Sequence, residues 1–449
     1  MKQHLILVLL AILAISCQNG AVQEKDLPLI TKNHLTLDFD IMTPEVLWSF
    51  GRVSDVQLSP GDDRFIYGVT YYSIEQNKSN RELFLMNCDG SGKVRLTSTP
   101  ESEFNAVWHP DGERIVYLAP TGGEVQAWVI KMDGSGRRKI SDIDGGITGL
   151  AFSPDGKKVL LTKEVQVDPT TKDQYPDLPE SDAKIITDLM YRHWDTWEDG
   201  AYSHIFVADF DGSKITGGKD IMAGEPYDTP LKPFGGLEEI SWTPDGKGIA
   251  YTCKKLTGKE YTLSTNSDIY LYDLELETTR NLTEGMPGYD KQPIFSQDGK
   301  KMYWLSMERA GFESDKDRLF ELDLATGKKR YLTPDFDYSP QGLQWNSDGS
   351  ALYFVAGIKS TLQLCRMDLP SGEITTLTSG NHDYHSVAVA GDKLIATRVD
   401  MTRPQEIYSV DPASGEATEL SFENKDLLDQ LTMPTVEKRW ITTTDHKEM

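Results

Sequence analysis

The stretch YRHWDTWEDGAYSH, beginning at Tyr191, gathers Arg192, His193, Trp194, Asp195, Trp197 and Glu198 into one short run. Indole rings beside carboxylates have a definite chemistry. On one reading the rings wall off an apolar slot and a carboxylate beside them grips a peptide's leading residues through a charge-assisted pair with its ammonium. The competing reading is a segment folded over its own blade, with Trp194 and Trp197 in a core and Arg192 paired to Asp195. A second concentration, MERAGFESDKD from Met307, holds Arg309, Glu313 and Asp315. Arg309 either receives a peptide carboxylate or carbonyl, contacts another domain, or pairs with Glu313 four residues on.

Other groupings carry less. NHDYH brings His382, Asp383 and His385 together without a fourth ligand nearby, and DFDG from Asp209 lacks the rest of a calcium loop. No metal and no cofactor are expected. Ser91 and Ser135 lie in DGSG turns, and the nucleophile elbow G-x-S-x-G occurs nowhere in the 449 residues. Beyond Cys17, the cysteines Cys88, Cys253 and Cys365 are odd in number and without CxxC spacing, which points to isolated buried thiols.

The elements that must position these residues announce themselves as repeats. FSPDGKKVLLT from Phe152 returns as LSPGDDRFIYG, WHPDGERIVYL, WTPDGKGIAYT, FSQDGKKMYWL, WNSDGSALYFV and the worn VAGDKLIATR. Proline presets φ, aspartate bonds its own backbone and glycine takes the left-handed conformation, so each copy is a hairpin. A second phrase, LFLMNCDGSGKVRLT from Leu83, also occurs seven times, the last copy being IYSVDPASGEATELS. Two hairpins per repeat predict an all-β fold: a seven-bladed β-propeller of four-stranded antiparallel blades. One interval between first turns is nearly double the rest, so an eighth blade is the alternative. Only one second hairpin falls in that interval, which predicts an insertion (163–204) between the third blade's second and third strands. In such blades the tight turns share one face, and the long connections, including the run from Tyr191, share the other. Loops of complex sequence on a rigid scaffold are where binding sits.

The flanks add a frame. Residues 1–16, MKQHLILVLLAILAIS, read as a signal peptide, and Cys17 follows as a candidate lipid acceptor, so the rest is expected to be exported to the periplasm or cell envelope. Within 17–51, Thr43, Pro44 and Glu45 open a short helix whose apolar side is Val46, Leu47 and Phe50. The propeller is expected over 52–434, with 435–449 beyond it. A net charge of −24 argues against nucleic acid and acidic membrane surfaces. It suits cationic partners, peptide amino termini among them, and also serves plain solubility.

MTPEVLWSFGRVSDVQLSP leading into SPDGK blades resembles the prolyl oligopeptidase family of serine peptidases. YRHWDTWEDGAYSHIF, GKEYTLSTNSDIYLYD and WLSMERAGFESDKDRLFELD narrow the resemblance to secreted peptidases of the dipeptidyl-peptidase V and acylaminoacyl type, from about Leu35 to the last residue. The resemblance implies a Ser-His-Asp mechanism on an α/β-hydrolase domain, with propeller acids anchoring the substrate's amino terminus, a role for Asp195 or Glu198 here. It also implies that the loop-rich face meets that domain and that short peptides are the substrates. VEKRWITTTDHKEM, from Val436, resembles the strand that opens the hydrolase domain, although His446 stands where the family has glycine. The expectation is a propeller portion without peptidase turnover of its own. A stand-alone TolB-like scaffold is the rival.

Overall fold

A computed structural model describes residues 28–449, so the leader and Cys17 lie outside the described residues. Seven four-stranded antiparallel sheets follow one another along the chain. Their outermost bounds are Arg52–Leu58 for the first strand of blade 1 and Ala417–Glu419 for the last strand of blade 7. Blade 3 comprises Gly149–Phe152, Lys158–Gln166, Ala201–Phe210 and Ile215–Asp220, and blade 4 begins at Ile240–Trp242. There are seven blades, not eight: the long interval is an insertion.

Alternation along each strand explains why so many runs are wholly apolar. In blade 3, Val159 and Leu161 pack with Val116, Leu118 and Val129 of blade 2. Leu160 between them packs with Ile249, Tyr251 and Cys253 of blade 4. A strand buried on both faces needs no polar side, and clusters of this kind occupy all seven junctions of the ring, including blade 7 with blade 1.

The repeated turns do more than reverse the chain. Asp155 Oδ1 accepts from the Lys157 amide (3.1 Å) and from Ser153 Oγ (2.7 Å), which fixes the turn. Gly156, at φ +67°, leaves no room for a side chain, since a Cβ there would fall 2.4 Å from Cβ of Pro110 in the preceding blade's turn. Gly246 packs over Pro154 and Gly299 over Pro244 more loosely, a Cβ there meeting the proline ring at ordinary contact distances of 3.7 and 3.8 Å. The turns therefore lock neighbouring blades together.

The end of the second phrase has its own task. Thr97, Ser141, Thr283, Thr333, Thr378 and Ser421 each accept, through the side-chain oxygen, a backbone N–H of their blade's third strand at 2.8–3.0 Å. In five of these blades the hydroxyl also donates to an acidic or amide side chain: Glu82, Gln126, Asp268, Gln363 or Glu406. Blade 3 departs from the pattern, with Met222 and His204 at the corresponding positions.

The helix Pro44–Ser49 is capped by Thr43, whose Oγ1 accepts from the Val46 amide at 3.4 Å. Val46 and Phe50 are buried against Leu427 and its neighbours Leu37, Leu428 and Leu431. Leu47 is not part of that apolar side. It is 48% exposed beside Trp48, because the helix is only six residues long and presents a narrow stripe to the core. Cys253 and Cys365 are buried and Cys88 half-buried, all three as free thiols. Burial pushes Cys253 up to about 12.

Candidate functional site

The strands of blade 3 continue to Gln166 and resume at Ala201, so the insertion proper spans 167–200 and leaves from the loop face. It opens with a capped turn, Thr171–Gln174, in which Thr170 and Asp173 cap one another. It closes with a miniature hairpin pairing Arg192 with Trp197 and His193 with Thr196. A cavity of about 890 Å³ lies under this excursion, lined in part by Asp168, Ile186, Tyr191, Trp197, Glu198 and Tyr202.

The hairpin presents its aromatic groups outward. Trp194 is 68% exposed and Trp197 40%, so neither is a core residue. The Arg192 guanidinium lies over the Trp197 ring, 5.2 Å from its centroid, and no ion pair joins it to Asp195 among the described residues. The pairing register sets Arg192 directly across from Trp197 and leaves Asp195 at the exposed bend. His193 meets Trp194 edge-on at 4.9 Å, and Trp194 meets Phe234 at 5.6 Å.

Glu198 differs from Asp195 in its surroundings. It is half-buried, and its carboxyl is held above the usual range by burial first and by the negative charge of Asp228 second, with Lys232 opposing. Asp228 is itself buried and raised by desolvation. It accepts from the Ser203 amide at 2.8 Å and pairs with Lys232 at 3.1 Å. Lys232 also reaches Glu164 at 2.9 Å. Two phenols border the group, Tyr202, which donates to Asp168 at 2.9 Å, and Tyr261. The result is a set of carboxylates, Glu198, Asp228 and Glu164, gathered about Lys232 at the rim of a pocket that Lys172 and Lys184 also line. Such a set favours an incoming ammonium, whose charge relieves the cost of ionising Glu198 away from water.

The wall continues across blades 4 and 5. Gly258 opens the helix Gly258–Leu263 so close to the insertion that a Cβ on it would meet Asp188 Oδ2 at 2.4 Å. Gly311 donates its N–H to Thr265 Oγ1 at 3.0 Å. The long loops of three successive blades are thereby stitched side by side. Inside the wall, Lys254 donates to the Tyr261 carbonyl at 2.6 Å and lies 3.9 Å from that ring's centroid, and burial lowers it to about 8. Arg309 pairs with Asp315, through its backbone N–H (2.9 Å) and Nε (3.1 Å), and covers Phe312 at 4.0 Å. Pairing with Glu313 is thus replaced by pairing with Asp315. Four-residue spacing brings side chains together on a helix, and this segment is a loop. The charge of Glu313 is felt at Lys254 instead.

His382, Asp383 and His385 serve separate partners. Asp383 accepts from the Leu362 amide at 2.7 Å, His385 Nδ1 meets Gln405 Oε1 at 2.9 Å, and His382 lies edge-on to Tyr384. Asp383 and His385 belong to the first strand of blade 7, Asp383–Ala390.

No family model matches the chain. Over 408 residues, 91% of its length, it is 47% identical to Dipeptidyl-peptidase 5 of Porphyromonas gingivalis, and it spans 60% of that protein. The protein of the same name from Porphyromonas endodontalis is 44% identical over 414 residues, 92% of this chain and again 60% of the relative. The chain thus spans about three fifths of the length of the curated relatives it matches. Among solved structures, an acylaminoacyl peptidase in complex with Z-Gly-Gly-Phe-chloromethyl ketone superposes with a TM-score of 0.66 over 88% of this chain and 56% of that one, at 19% identity. The β-propeller domain of the Trilobed protease from Pyrococcus furiosus matches with a TM-score of 0.56 over 84% of this chain and 97% of its own, at 15% identity. These two speak for the fold.

Within this propeller, sequence reading finds the Tyr191 run but singles out neither Tyr202 inside it nor Asp228, Lys232, Phe234 and Tyr261. Those last four come from other segments and meet the run only when blades 3 and 4 pack. A signal was present nonetheless. Blade 3 breaks its own repeat, with Met222 where six blades carry serine or threonine and a long link from 221 to 239. His204, in place of an acid or amide, is buried against Asp220 (2.8 Å) and the Glu225 carbonyl (2.8 Å). Departures from local consistency gather at functional sites.

Proposed function

We infer that this chain is the substrate-admitting, amino-terminus-recognising propeller of an exported serine dipeptidyl or acylaminoacyl peptidase. Peptide-bond cleavage belongs to an α/β-hydrolase domain docked on the loop face, because these 449 residues hold no G-x-S-x-G elbow. Short peptides are the substrates. Glu198 takes the peptide's ammonium, Asp228 adds negative potential, and Trp194 and Trp197 flank the first side chains. Asp195 stands at the hairpin's exposed bend and has the weaker environment of the two. The single observation carrying this reading is the half-buried Glu198 carboxyl, raised by burial and Asp228, at a cavity lined by Tyr191, Trp197 and Tyr202. Because that pocket is built for a positive charge, free amino termini are favoured over acylated ones. The apolar leader and Cys17 support an envelope location with lipid attachment.

The test is a chimera in which this chain replaces the propeller of the P. gingivalis relative. The chimera should release dipeptides from unblocked peptides, and Glu198→Gln should lower kcat/KM about 10- to 100-fold through loss of a charge-assisted hydrogen bond. Acetylated substrates should be cleaved poorly and be indifferent to the substitution. Equal turnover of blocked and unblocked peptides would overturn amino-terminus recognition. A chimera that folds without binding or cleaving peptides would shift the reading to the scaffold.

A further inference from the structure

Blade 3 inverts a polarity that five other blades share. Where Glu82, Gln126, Asp268, Gln363 and Glu406 accept from a hydroxyl of their own blade, blade 3 carries His204, and Met222 takes the hydroxyl's place. A histidine can donate, so it can hold a carbonyl that a carboxylate would repel.

What His204 holds is the link from 221 to 239. Its Nδ1 lies 2.8 Å from Asp220 Oδ2, at the end of the blade's fourth strand, and its Nε2 lies 2.8 Å from the Glu225 carbonyl. The other Asp220 oxygen accepts from the Met222 amide at 2.8 Å, which favours the ionised carboxylate. Both partners of the ring are therefore acceptors. A neutral imidazole has one N–H and would set its other nitrogen's lone pair against an oxygen, whereas the imidazolium satisfies both. The side chain is 0% exposed, so water cannot stand in. Asp220 supplies the counter-charge directly, and Asp228, itself paired to Lys232, adds to it from further along the link.

The neighbours of His204 grip the same segment. The Ile205 carbonyl accepts from the Ile221 amide at 3.0 Å and the Ser203 carbonyl from the Thr229 amide at 2.7 Å. The Ser203 amide donates to Asp228 at 2.8 Å. Glu225 is held from the other side as well, its carboxylate accepting from Lys255 at 2.6 Å. Beyond these anchors the link delivers Asp228 and Lys232 to the surroundings of Glu198, and Phe234 to Trp194.

We propose that His204, as an imidazolium bridging Asp220 and the Glu225 carbonyl, is the positioning residue that fixes the 221–239 link and with it Asp228, Lys232 and Phe234. A buried side chain that touches no substrate thereby sets the charge arrangement around Glu198. Its consequence for binding rests on Glu198 as the partner of the peptide's ammonium; its hold on the link does not.

Nitrogen NMR of the full chain with labelled histidine tests the bridge, the His204 signals being those that vanish in His204→Gln and move in Asp220→Asn. Both ring nitrogens should be protonated near neutral pH. Asp220→Asn should turn the ring neutral while keeping its bond to the Glu225 carbonyl. In His204→Gln the Thr229 amide should exchange at least about tenfold faster, with Leu364 of blade 6 unchanged and Asp220→Asn giving a smaller acceleration. The unblocked dipeptide Ala-Phe, titrated into the same chains, should bind about tenfold more weakly to His204→Gln, as it should to Glu198→Gln. A native ring with a single N–H, or a Thr229 amide no faster in His204→Gln, would overturn the proposal. So would binding weakened by Glu198→Gln and untouched by His204→Gln. Full affinity in both variants would instead overturn the Glu198 reading, and the consequence for binding with it, while the ring signals and the exchange still decide the bridge.

Discussion

Replacing Thr378 by valine tests the logic of the repeat at a single atom. The Thr378 hydroxyl accepts from the Leu364 amide at 3.0 Å and donates to Gln363 Oε1 at 2.8 Å, in a buried position. Valine has the same shape, so no cavity opens. The Leu364 N–H is left buried without a partner, which costs about 1–3 kcal/mol, and the second hydrogen bond adds roughly 1 kcal/mol. Gln363 keeps its bonds to the carbonyls of Gly380 and His382 through Nε2, which limits the damage to its oxygen. A total loss of about 2–4 kcal/mol follows. Urea unfolding, followed by tryptophan fluorescence, should show a lowered midpoint with little change in slope. Thr375→Val, on the exposed edge strand of the same blade, is the control and should stay within about 0.5 kcal/mol. If Thr378→Val matched that control, the hydroxyls would be ornaments of the repeat and not its braces.

Further expectations concern the turns and the pH response. Gly156→Ala, at φ +67° and hard against Pro110, should destabilise by about 1–3 kcal/mol, whereas Ala at Gly112, which has open space around it, should cost only the backbone strain of its φ of +71°. Denaturation of the two variants separates interlocking from turn geometry. Burial lifts Glu103, Glu239 and Asp290 to about 7. Their folded pKa values exceed the unfolded ones, so the stabilising difference is fully present below about pH 4 and is lost as pH rises towards 7, on the order of 3 kcal/mol per group. His204 acts in the same direction: burial lowers it, the Asp220 carboxylate more than offsets that, and its contribution is lost as pH rises through the raised value. Asp63 and Asp298, depressed to about 2, weaken the fold only in stronger acid. Urea midpoints should therefore be higher near pH 5 than at pH 8, and Glu239→Gln should flatten the profile; a midpoint that rises from pH 5 to 8 would contradict this.

The propeller is legible in the sequence because its signals are local. Ser153-Pro154-Asp155-Gly156 specifies a turn with its own atoms, and seven copies count the blades. What the turn's glycine touches is not local, so the contact of Gly156 with Pro110 appears only once two blades stand together. The same holds for the site. Arg192 to Glu198 are visible as a cluster because they are consecutive. Asp228 and Tyr261 arrive from separate connections, and their approach to Glu198 depends on how blade 4 packs on blade 3. Arg309 shows the opposite hazard, since spacing alone suggested Glu313, while a loop conformation that spacing does not encode delivers Asp315.

The most direct measurement is a crystal structure of the chimeric peptidase holding an unblocked, uncleavable dipeptide. The account predicts the dipeptide's nitrogen within hydrogen-bonding distance of the Glu198 carboxylate, beneath the Trp194 hairpin on the loop face of blade 3. A nitrogen bound at Glu313, at Asp195 alone, or on the face of the tight turns would contradict it.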